Sequence, residues 1–213
     1  FKKELKKKFN LNSKCIYNPI NSKEIKKLSI KKINFNFFKK KTINIISIGR
    51  LVDQKDHMTT LKSINHLKDK CNLKLLLLGE GDQKNTLLKY INQNNLKDIV
   101  KIKDRKENPF PYINKSQILL LSSKFEGLPN VLLEGQSLDK FIISSNCPTG
   151  PREILDKGKG GLLFKVGDHL DLSKKILIFK NNYKSCVKKK RFAKKRLDRF
   201  DYKKNLSLYF DLF

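Results

Sequence analysis

The sequence has few of the residue patterns that metal binding, redox chemistry or a membrane span would require. Its four cysteines form no Cys-x-x-Cys pair, and its three histidines do not have the spacing of a metal site. We therefore predict no metal or redox motif, and reduced thiols as in a cytoplasmic protein. No apolar run approaches the roughly 18 residues of a membrane span, and we expect no signal peptide.

Acidic residues are also scarce. The chain has 20 Asp and Glu against 48 Lys and Arg, which gives a formal net charge of +28. Such a charge ordinarily indicates nucleic acid or an anionic surface as partner. However, lysine far outnumbers arginine and Ala193 is the single alanine, a composition typical of AT-rich genomes that place lysine at exposed positions. We expect no specific nucleic acid partner, and of the two we favour an anionic membrane surface.

Short apolar runs alternate with helical patterns over most of the chain. Apolar residues recur at three-residue spacing at Leu61, Ile64 and Leu67, and again at Leu88 and Ile91, as in amphipathic helices. Such alternation predicts an α/β fold, a Rossmann-like parallel sheet with helices on both faces. The predicted strands are 43–48, 73–78, 99–102, 118–121, 141–144 and 161–164, with a further short strand at 15–20.

Three loops should meet at one edge of this sheet. The segments 49–50, 79–81 and 122–129 each follow an apolar run, and ligands of parallel sheets bind at the carboxyl ends of the strands. Glu126 lies in the last loop. Glu134 lies about a turn and a half into a helix that Pro129 can begin. Two carboxylates around free backbone N–H groups, which bind anions, suit a nucleotide sugar.

The same residues carry a family resemblance. Glu126 and Glu134, in Glu-Gly-Leu-Pro-Asn-Val-Leu-Leu-Glu, resemble the donor-site motif of retaining glycosyltransferases of family 4. Other stretches agree in order, from about residue 10 to about residue 180. They are Tyr-Asn-Pro-Ile at 17–20, Ser-Ile-Gly-Arg-Leu at 47–51, Gln-Lys-Asp at 54–56, Leu-Gly-Glu-Gly at 78–81 and Cys-Pro-Thr-Gly-Pro-Arg-Glu-Ile-Leu at 147–155.

The resemblance implies the C-terminal half of a two-domain GT-B fold. Residues 1–38 would be a remnant of the acceptor domain and the interdomain linker. Residues 39–185 would form the nucleotide-sugar donor-binding domain, and residues 186–213 a basic helical tail. Because the sequence begins with Phe1 instead of methionine, we expect a fragment or a processed chain whose acceptor residues lie elsewhere.

The resemblance also assigns roles to individual residues. Arg50 and Lys55 would bind the donor diphosphate and, with Glu126, would be the catalytic residues. Glu134 would accept hydrogen bonds from the ribose, and Glu126 would face the sugar. The implied donor-binding set is Gly49, Arg50, Lys55, Glu126, Gly127, Leu128, Pro129 and Glu134. The alternatives are solvated charges for the two cations, a helix-surface Glu134 and a Glu126 that complements the helix dipole.

Several residues remain open or depart from the family pattern. The turn with Gly79 and Gly81 fits a donor site or an ordinary tight turn equally well. Arg152 and Glu153 fit a place near the donor pocket, packing or capping, and the three histidines are expected at the surface or as caps. Gly135 stands where the family usually has alanine. The charged segment 103–105 replaces a loop that usually carries glycine, which puts base recognition there in doubt.

The expected function is transfer of a sugar, with retention, from a nucleoside diphosphate sugar to a hydroxyl group. A UDP-sugar is the expected donor, and a lipid-linked glycan or polysaccharide precursor the expected acceptor. No cofactor and no metal are expected, and the location would be cytoplasmic, on the inner face of a membrane. The fragment alone is expected to be inactive. The alternatives are a basic nucleic-acid-binding protein and an inactive nucleotide-sugar-binding partner subunit.

Overall fold

The computed structural model describes residues 2–211, with side chains from residue 5 onward. Within that range six parallel strands form one sheet, in the order β3-β2-β1-β4-β5-β6 for the strands named next. The strands are β1 (Ile43–Ile48), β2 (Leu73–Leu78), β3 (Val100–Lys103), β4 (Ile118–Leu121), β5 (Phe141–Ser145) and β6 (Leu162–Phe164). The predicted α/β class with a Rossmann-like parallel sheet is confirmed.

Helices connect the strands and cover both faces of the sheet. They are α1 (Lys2–Phe9), α2 (Ser22–Ser29), α3 (His57–Leu67), α4 (Lys84–Gln93), α5 (Phe110–Lys115), α6 (Asn130–Ser137), α7 (Pro151–Ile154), α8 (His169–Asn181), α9 (Tyr183–Lys195) and α10 (Tyr202–Phe210). Short 3₁₀ helices lie at Asp53–Lys55 and Arg196–Phe200. Within residues 2–211, no helix combines the length and apolar character needed to cross a bilayer.

The strands contribute side chains to two separate apolar cores, because successive side chains of a strand point to opposite faces of the sheet. Ile45 of β1 and Leu75 of β2 pack in one core with α3, α4 and α8. Ile46 and Leu76, the next residue of each strand, pack in the other with α2, α5 and α6. With both faces covered, the central strands are apolar throughout, which explains the continuous apolar runs in the sequence.

The predicted strand positions hold closely. The runs 43–48, 73–78 and 118–121 match β1, β2 and β4. The runs 141–144 and 161–164 differ from β5 and β6 by one residue at one end, and 99–102 is shifted from β3 by one residue. The helical positions Leu88 and Ile91 both lie in α4, as predicted, although Leu88 is 37% exposed. Leu87 and Ile91 are the buried residues of α4. They are four residues apart and therefore lie on the same face of the helix.

The prediction of a strand at 15–20 is wrong. Only Ile20 makes a bridge, an isolated one to Asp201. The backbone N–H of Ile20 donates to the Phe200 carbonyl at 2.8 Å, and that of Tyr17 donates to Asn205 Oδ1 at 3.1 Å. The segment thus directs its N–H groups to a turn near the other end of the chain instead of to the sheet.

Segments that precede and follow the strands of the sheet pack onto it. Helix α2 contacts α5 and α6, and Phe35 is buried against Tyr112. From the C-terminal region, Cys186, Ala193 and Phe200 are buried. The division into 1–38, 39–185 and 186–213 stays a prediction. Its outermost residues, Phe1, Leu212 and Phe213, lie outside the described residues.

Gly135, the departure in α6, lies where this helix approaches the sheet most closely. A Cβ atom at this position would lie 2.9 Å from Leu119 Cδ1 of β4 and 2.9 Å from Ile142 Cδ1 of β5. An alanine would therefore require the neighbouring side chains to move. The glycine weakens the helix by about 1 kcal/mol, but it lets α6 pack closely on β4 and β5.

Candidate functional site

A cleft of about 900 Å³ opens at the carboxyl edge of the sheet. It lies over the neighbouring strands β1 and β4. From this pair the strand order runs outward in opposite directions, to β2 and β3 on one side and to β5 and β6 on the other. Ligands of this fold bind at such a switch point in the strand order. Seven of the eight predicted donor-binding residues line it: Gly49, Arg50, Lys55, Glu126, Leu128, Pro129 and Glu134. Gly127 does not line the cleft, although it lies between two residues that do.

Two of the lining residues, Lys55 and Glu126, form an ion pair. Lys55 Nζ lies 2.5 Å from Glu126 Oε1, and only 18% and 9% of the two side chains are exposed. Ser123 Oγ also donates to Glu126 Oε1, at 2.6 Å, and Ser122 Oγ donates to the Lys55 carbonyl at 2.8 Å. A cation and an anion are thus held next to each other, both turned toward the space a ligand would occupy.

Arg50 extends from the end of β1 and is exposed to solvent. Its Nη2 donates to Gln54 Oε1 at a long 3.4 Å, while Gln54 Nε2 donates to the Phe125 carbonyl at 2.9 Å. The Lys124 N–H in turn donates to the Gln54 carbonyl at 2.8 Å. Gln54 therefore joins the loop after β1 to the loop after β4, and Arg50 remains available to a ligand.

The glycine turn after β2 supports the loop after β1. A Cβ atom at Gly79 would overlap the Gly49 carbonyl, and one at Gly81 would overlap the Leu51 backbone. The Leu51 N–H donates to the Glu80 carbonyl at 2.7 Å, which holds the two loops together. Both glycines are therefore required by the close approach of two backbones, directly beneath the predicted phosphate-binding residue.

Helix α6 points its N-terminus at the cleft. The helix begins at Asn130, one residue later than predicted, and Pro129 is the residue that precedes it. Pro129 takes an extended conformation, with φ −72° and ψ 101°, and so turns the chain into the helix. The free N–H groups of the first turn, such as that of Val131, lie at the cleft wall and can bind an anion.

The segment after β5 supports the loop that carries Glu126. Thr149 Oγ1 donates to the Glu126 carbonyl, and a Cβ atom at Gly150 would overlap the Gly127 carbonyl. At Gly127 itself, an added Cβ would meet nothing within 4 Å. The stretch 147–155, which resembles a family motif, thus supports the loop that carries Glu126 without lining the cleft.

Glu134 projects from α6 into the cleft and is half-buried. Burial raises the pKa of its carboxyl above the usual value, and burial is the sole cause of the shift. In the part of the chain that the structure describes, no residue hydrogen-bonds to this side chain. A partly desolvated carboxylate of this kind has free acceptor positions for ligand hydroxyl groups.

The expectation of a surface or cap role is wrong for His57. Its side chain is 4% exposed, and its Nε2 lies 3.2 Å from the Arg50 carbonyl oxygen. Burial, assisted by the nearby charge of Lys55, lowers the pKa of His57 to about 4. The ring is therefore neutral at physiological pH.

One wall of the cleft lies outside the predicted donor-binding set, although the segment 103–105 was considered there for base recognition. Arg105, Lys106 and Glu107, in the loop after β3, all line it, and Phe110 of α5 lies beside them. Asp104 is instead held outside by Lys84, at 2.6 Å. The signal was available, because this loop follows a strand of the same sheet and so ends at the same edge.

Glu153 lies behind the cleft, where it accepts a hydrogen bond from the Tyr17 hydroxyl. Burial, and then the hydrogen bond to Glu153 and its negative charge, raise the pKa of Tyr17 to about 12. Arg152 is exposed, and neither Arg152 nor Glu153 lines the cleft. Among the described residues no group of three His, Cys, Asp or Glu side chains is arranged to hold a metal ion.

The fold and the cleft define a Rossmann-like domain with a ligand site at the switch point of its sheet. The family is clear from comparison with known proteins. Residues 29–196 match the model of the glycosyl transferases group 1, and the chain belongs to that family.

Two relatives and one solved structure illustrate the match. An uncharacterized glycosyltransferase of Methanocaldococcus jannaschii is 41% identical over 121 residues, which is 56% of this chain and 30% of the relative. The N-acetylgalactosamine-N,N'-diacetylbacillosaminyl-diphospho-undecaprenol 4-alpha-N-acetylgalactosaminyltransferase of Campylobacter jejuni is 31% identical over 159 residues, 74% of this chain and 42% of the relative. The structure of Anabaena HepE with UDP and glucose superposes with a TM-score of 0.80 at 17% identity, over 93% of this chain and 56% of that one.

This chain therefore spans less than half the length of the curated relatives it matches. The structural likeness, at 17% identity, supports the GT-B type of fold and no finer assignment.

Proposed function

We propose that the chain binds the nucleoside diphosphate part of a sugar donor and forms the donor half of a retaining glycosyltransferase. The observation that carries the proposal is the convergence of Arg50, Lys55, Glu126 and Glu134 on one cleft at the switch point of the sheet. Two cations suit a diphosphate, and two carboxylates suit sugar and ribose hydroxyl groups. The family membership of the chain supports the same chemistry.

In this proposal each residue has a separate role. Arg50 offers the diphosphate a planar fork of N–H donors, and Lys55 offers it a point charge. The N-terminus of α6 adds free N–H groups and a partial positive charge. Glu134 accepts hydrogen bonds from the ribose, and Glu126, fixed by Lys55 and Ser123, faces the transferred sugar.

Transfer breaks the bond between the sugar C1 and the diphosphate oxygen, whose electron pair leaves with the diphosphate. The new bond joins C1 to the acceptor oxygen on the same face of the ring, and the acceptor proton ends on the departing phosphate. Arg50 and Lys55 stabilise the negative charge that develops on the leaving group. No residue of the cleft is required as a covalent nucleophile, and no metal is required to neutralise the charge.

UDP is the proposed nucleotide, and its support comes from the comparisons. The superposed Anabaena HepE structure contains UDP and glucose. The acceptor proposed here is a lipid-linked glycan or polysaccharide precursor, because the Campylobacter relative is named for a diphospho-undecaprenol substrate. A lipid-linked acceptor would bring the chain to the cytoplasmic surface of a membrane, where each basic residue contributes about 1 kcal/mol to binding of anionic lipid.

We further propose that the 213 residues bind nucleotide yet transfer no sugar by themselves. Catalysis requires the acceptor to be aligned with the donor, and that alignment supplies about 7–11 kcal/mol in favourable cases. The acceptor-binding half would come from outside these residues. Sugar transfer to membrane extracts, measured with radiolabelled donor, should appear only when that half is present. Robust turnover by the 213-residue chain would place the acceptor site within it.

Calorimetry with UDP and with a single-stranded oligonucleotide tests the binding function. We expect UDP affinity to fall far less steeply than oligonucleotide affinity between 50 and 200 mM salt, because a diphosphate engages only a few charges. Binding to a nucleic acid backbone would fall steeply over the same range. Absence of UDP binding, together with tight and salt-sensitive oligonucleotide binding, would favour the nucleic acid alternative and overturn the proposal.

A further inference from the structure

Three backbone groups on either side of Arg50 are hydrogen-bonded in the loop after β1. The Gly49 N–H donates to the Leu78 carbonyl at 3.1 Å, and the Leu51 N–H donates to the Glu80 carbonyl at 2.7 Å. The Arg50 carbonyl between them is bonded to a side chain: His57 Nε2 lies 3.2 Å from its oxygen. His57 thus holds the peptide unit that follows the predicted phosphate-binding residue.

The start of α3 aims the His57 ring inward. Asp56 takes a left-handed conformation, with φ 45° and ψ 48°, and its carboxylate caps the helix by accepting from the Thr59 N–H at 3.2 Å. His57 is then the first residue of the helix, and its ring lies under the loop with 4% of the residue exposed. The tight turn at Asp56 therefore fixes where the imidazole can go.

The ring has one defined hydrogen-bonding state. A carbonyl oxygen only accepts, so Nε2 must carry the proton that it donates to Arg50. The other nitrogen, Nδ1, is buried and has no partner within the part of the chain that the structure describes. An unpaired buried nitrogen lowers stability. An apolar side chain of similar size would avoid that loss, but it could not donate to the Arg50 carbonyl.

We propose that His57 is a positioning residue of the donor site, which fixes the Arg50 backbone through Nε2–H and thereby the direction in which the Arg50 side chain enters the cleft. This inference rests on the proposed function, because it takes the ligand of Arg50 to be the donor diphosphate. His57 itself does not line the cleft and does not touch the ligand. In this proposal His57 acts through Arg50 and affects only the contacts between Arg50 and the diphosphate.

Three substitutions of His57 separate positioning from packing. In His57→Gln the amide nitrogen can reach the place of Nε2 and donate to the carbonyl. In His57→Asn the amide is too short, and in His57→Leu the space is filled without a donor. His66→Leu, at an exposed position of the same helix, is the control. Unfolding in urea shows which variants are folded under the binding conditions.

The readout is the affinity for UDP compared with the affinity for uridine, which lacks the diphosphate. We expect His57→Leu and His57→Asn to weaken UDP about tenfold, the value of one hydrogen bond between a displaced Arg50 and the diphosphate, and to leave uridine unchanged. His57→Gln should stay within about threefold of the wild type for UDP, because it restores the bond. His66→Leu should alter neither affinity.

The possible outcomes are distinct. If the wild-type chain did not bind UDP, the proposed function would fall, and this inference with it. If the wild type bound UDP and His57→Leu bound it equally well, the inference would be overturned and the proposed function would stand. Equal weakening of UDP and uridine, without rescue by His57→Gln, would show a packing role and would also overturn it.

Discussion

Lys55 Nζ lies 2.5 Å from Glu126 Oε1, and this contact joins the loop after β1 to the loop after β4 across 71 positions of sequence. The pair is mostly withdrawn from solvent, since 18% of one side chain and 9% of the other are exposed. The cation proposed for the diphosphate and the carboxylate proposed for the sugar are therefore ordered without a ligand, and such order reduces the entropy lost on binding.

The same pair should contribute to folding. Lys55→Met leaves the Glu126 carboxylate partly buried with Ser123 as its remaining donor, so we expect a loss of about 2–3 kcal/mol in the free energy of unfolding. The double variant Lys55→Met/Glu126→Gln should lose less than the sum of the two single variants, measured by urea unfolding.

A matched control is the exposed pair between Lys124 and Asp53, at 2.6 Å, whose side chains are 43% and 79% exposed. Lys124→Met should cost less than about 1 kcal/mol. Equal losses for Lys55→Met and Lys124→Met would show that burial of the pair in the cleft has no energetic consequence.

The two glutamates should differ in what they bind. Glu134→Gln should weaken UDP and UDP-sugar alike by about 1.5–3 kcal/mol, because a charged hydrogen-bond acceptor for the ribose is lost. Glu126→Gln should weaken mainly the UDP-sugar, because that carboxylate is the one proposed to face the transferred sugar. Calorimetry with both ligands measures this. A loss of free UDP binding as large in Glu126→Gln as in Glu134→Gln would mean that the roles are wrongly assigned.

His57 should make stability depend on pH. Its pKa is about 4 in the folded chain and 6.5 for the ordinary side chain, so the unfolded chain binds a proton first as the pH falls. The contribution is fully present above pH 6.5 and is lost between pH 6.5 and 4, by about 3 kcal/mol in all. Urea unfolding across this range should show a steeper decline for the wild type than for His57→Gln. Parallel declines would mean that the ring is protonated in the folded chain.

The glycine turn beneath Arg50 gives a prediction with an internal control. Gly79→Ala would force the Gly49 carbonyl to move, so we expect a loss of about 1–3 kcal/mol in stability. Gly127→Ala places its Cβ in open space and should cost less than about 0.5 kcal/mol. Thermal or urea unfolding of both variants measures the two losses of stability. A Gly79→Ala variant as stable as Gly127→Ala would contradict the close contact between Gly79 and the Gly49 carbonyl.

Much of this site could be predicted from sequence because parallel strands end at one edge. Arg50 follows β1 and Glu126 follows β4, so their neighbourhood follows from topology alone. The ion pair of Lys55 with Glu126 was not predicted, because it depends on side-chain directions in two loops far apart in sequence. His57 was interpreted as a cap, since a polar residue at a helix start carries no signal of burial.

The error at residues 15–20 has a similar cause. The run 15–20 was predicted to be a short strand, but Ile20 bonds to Phe200 near the opposite end of the chain. Contacts of that separation leave no local pattern. In α4 the spacing of Leu88 and Ile91 predicted the helix, whereas its buried residues are Leu87 and Ile91, four apart.

The measurement that tests the central claim most directly is UDP binding by the double variant Arg50→Ala/Lys55→Ala. Each residue should supply a charge-assisted hydrogen bond of about 1.5–3 kcal/mol, so we expect UDP affinity to fall at least about 100-fold. Lys23→Ala/Lys27→Ala, which removes two exposed lysines of α2 outside the cleft, should bind UDP as the wild type does. Calorimetry on folded samples of both gives the answer, and unchanged UDP affinity in Arg50→Ala/Lys55→Ala would contradict the assignment of this cleft as the donor site.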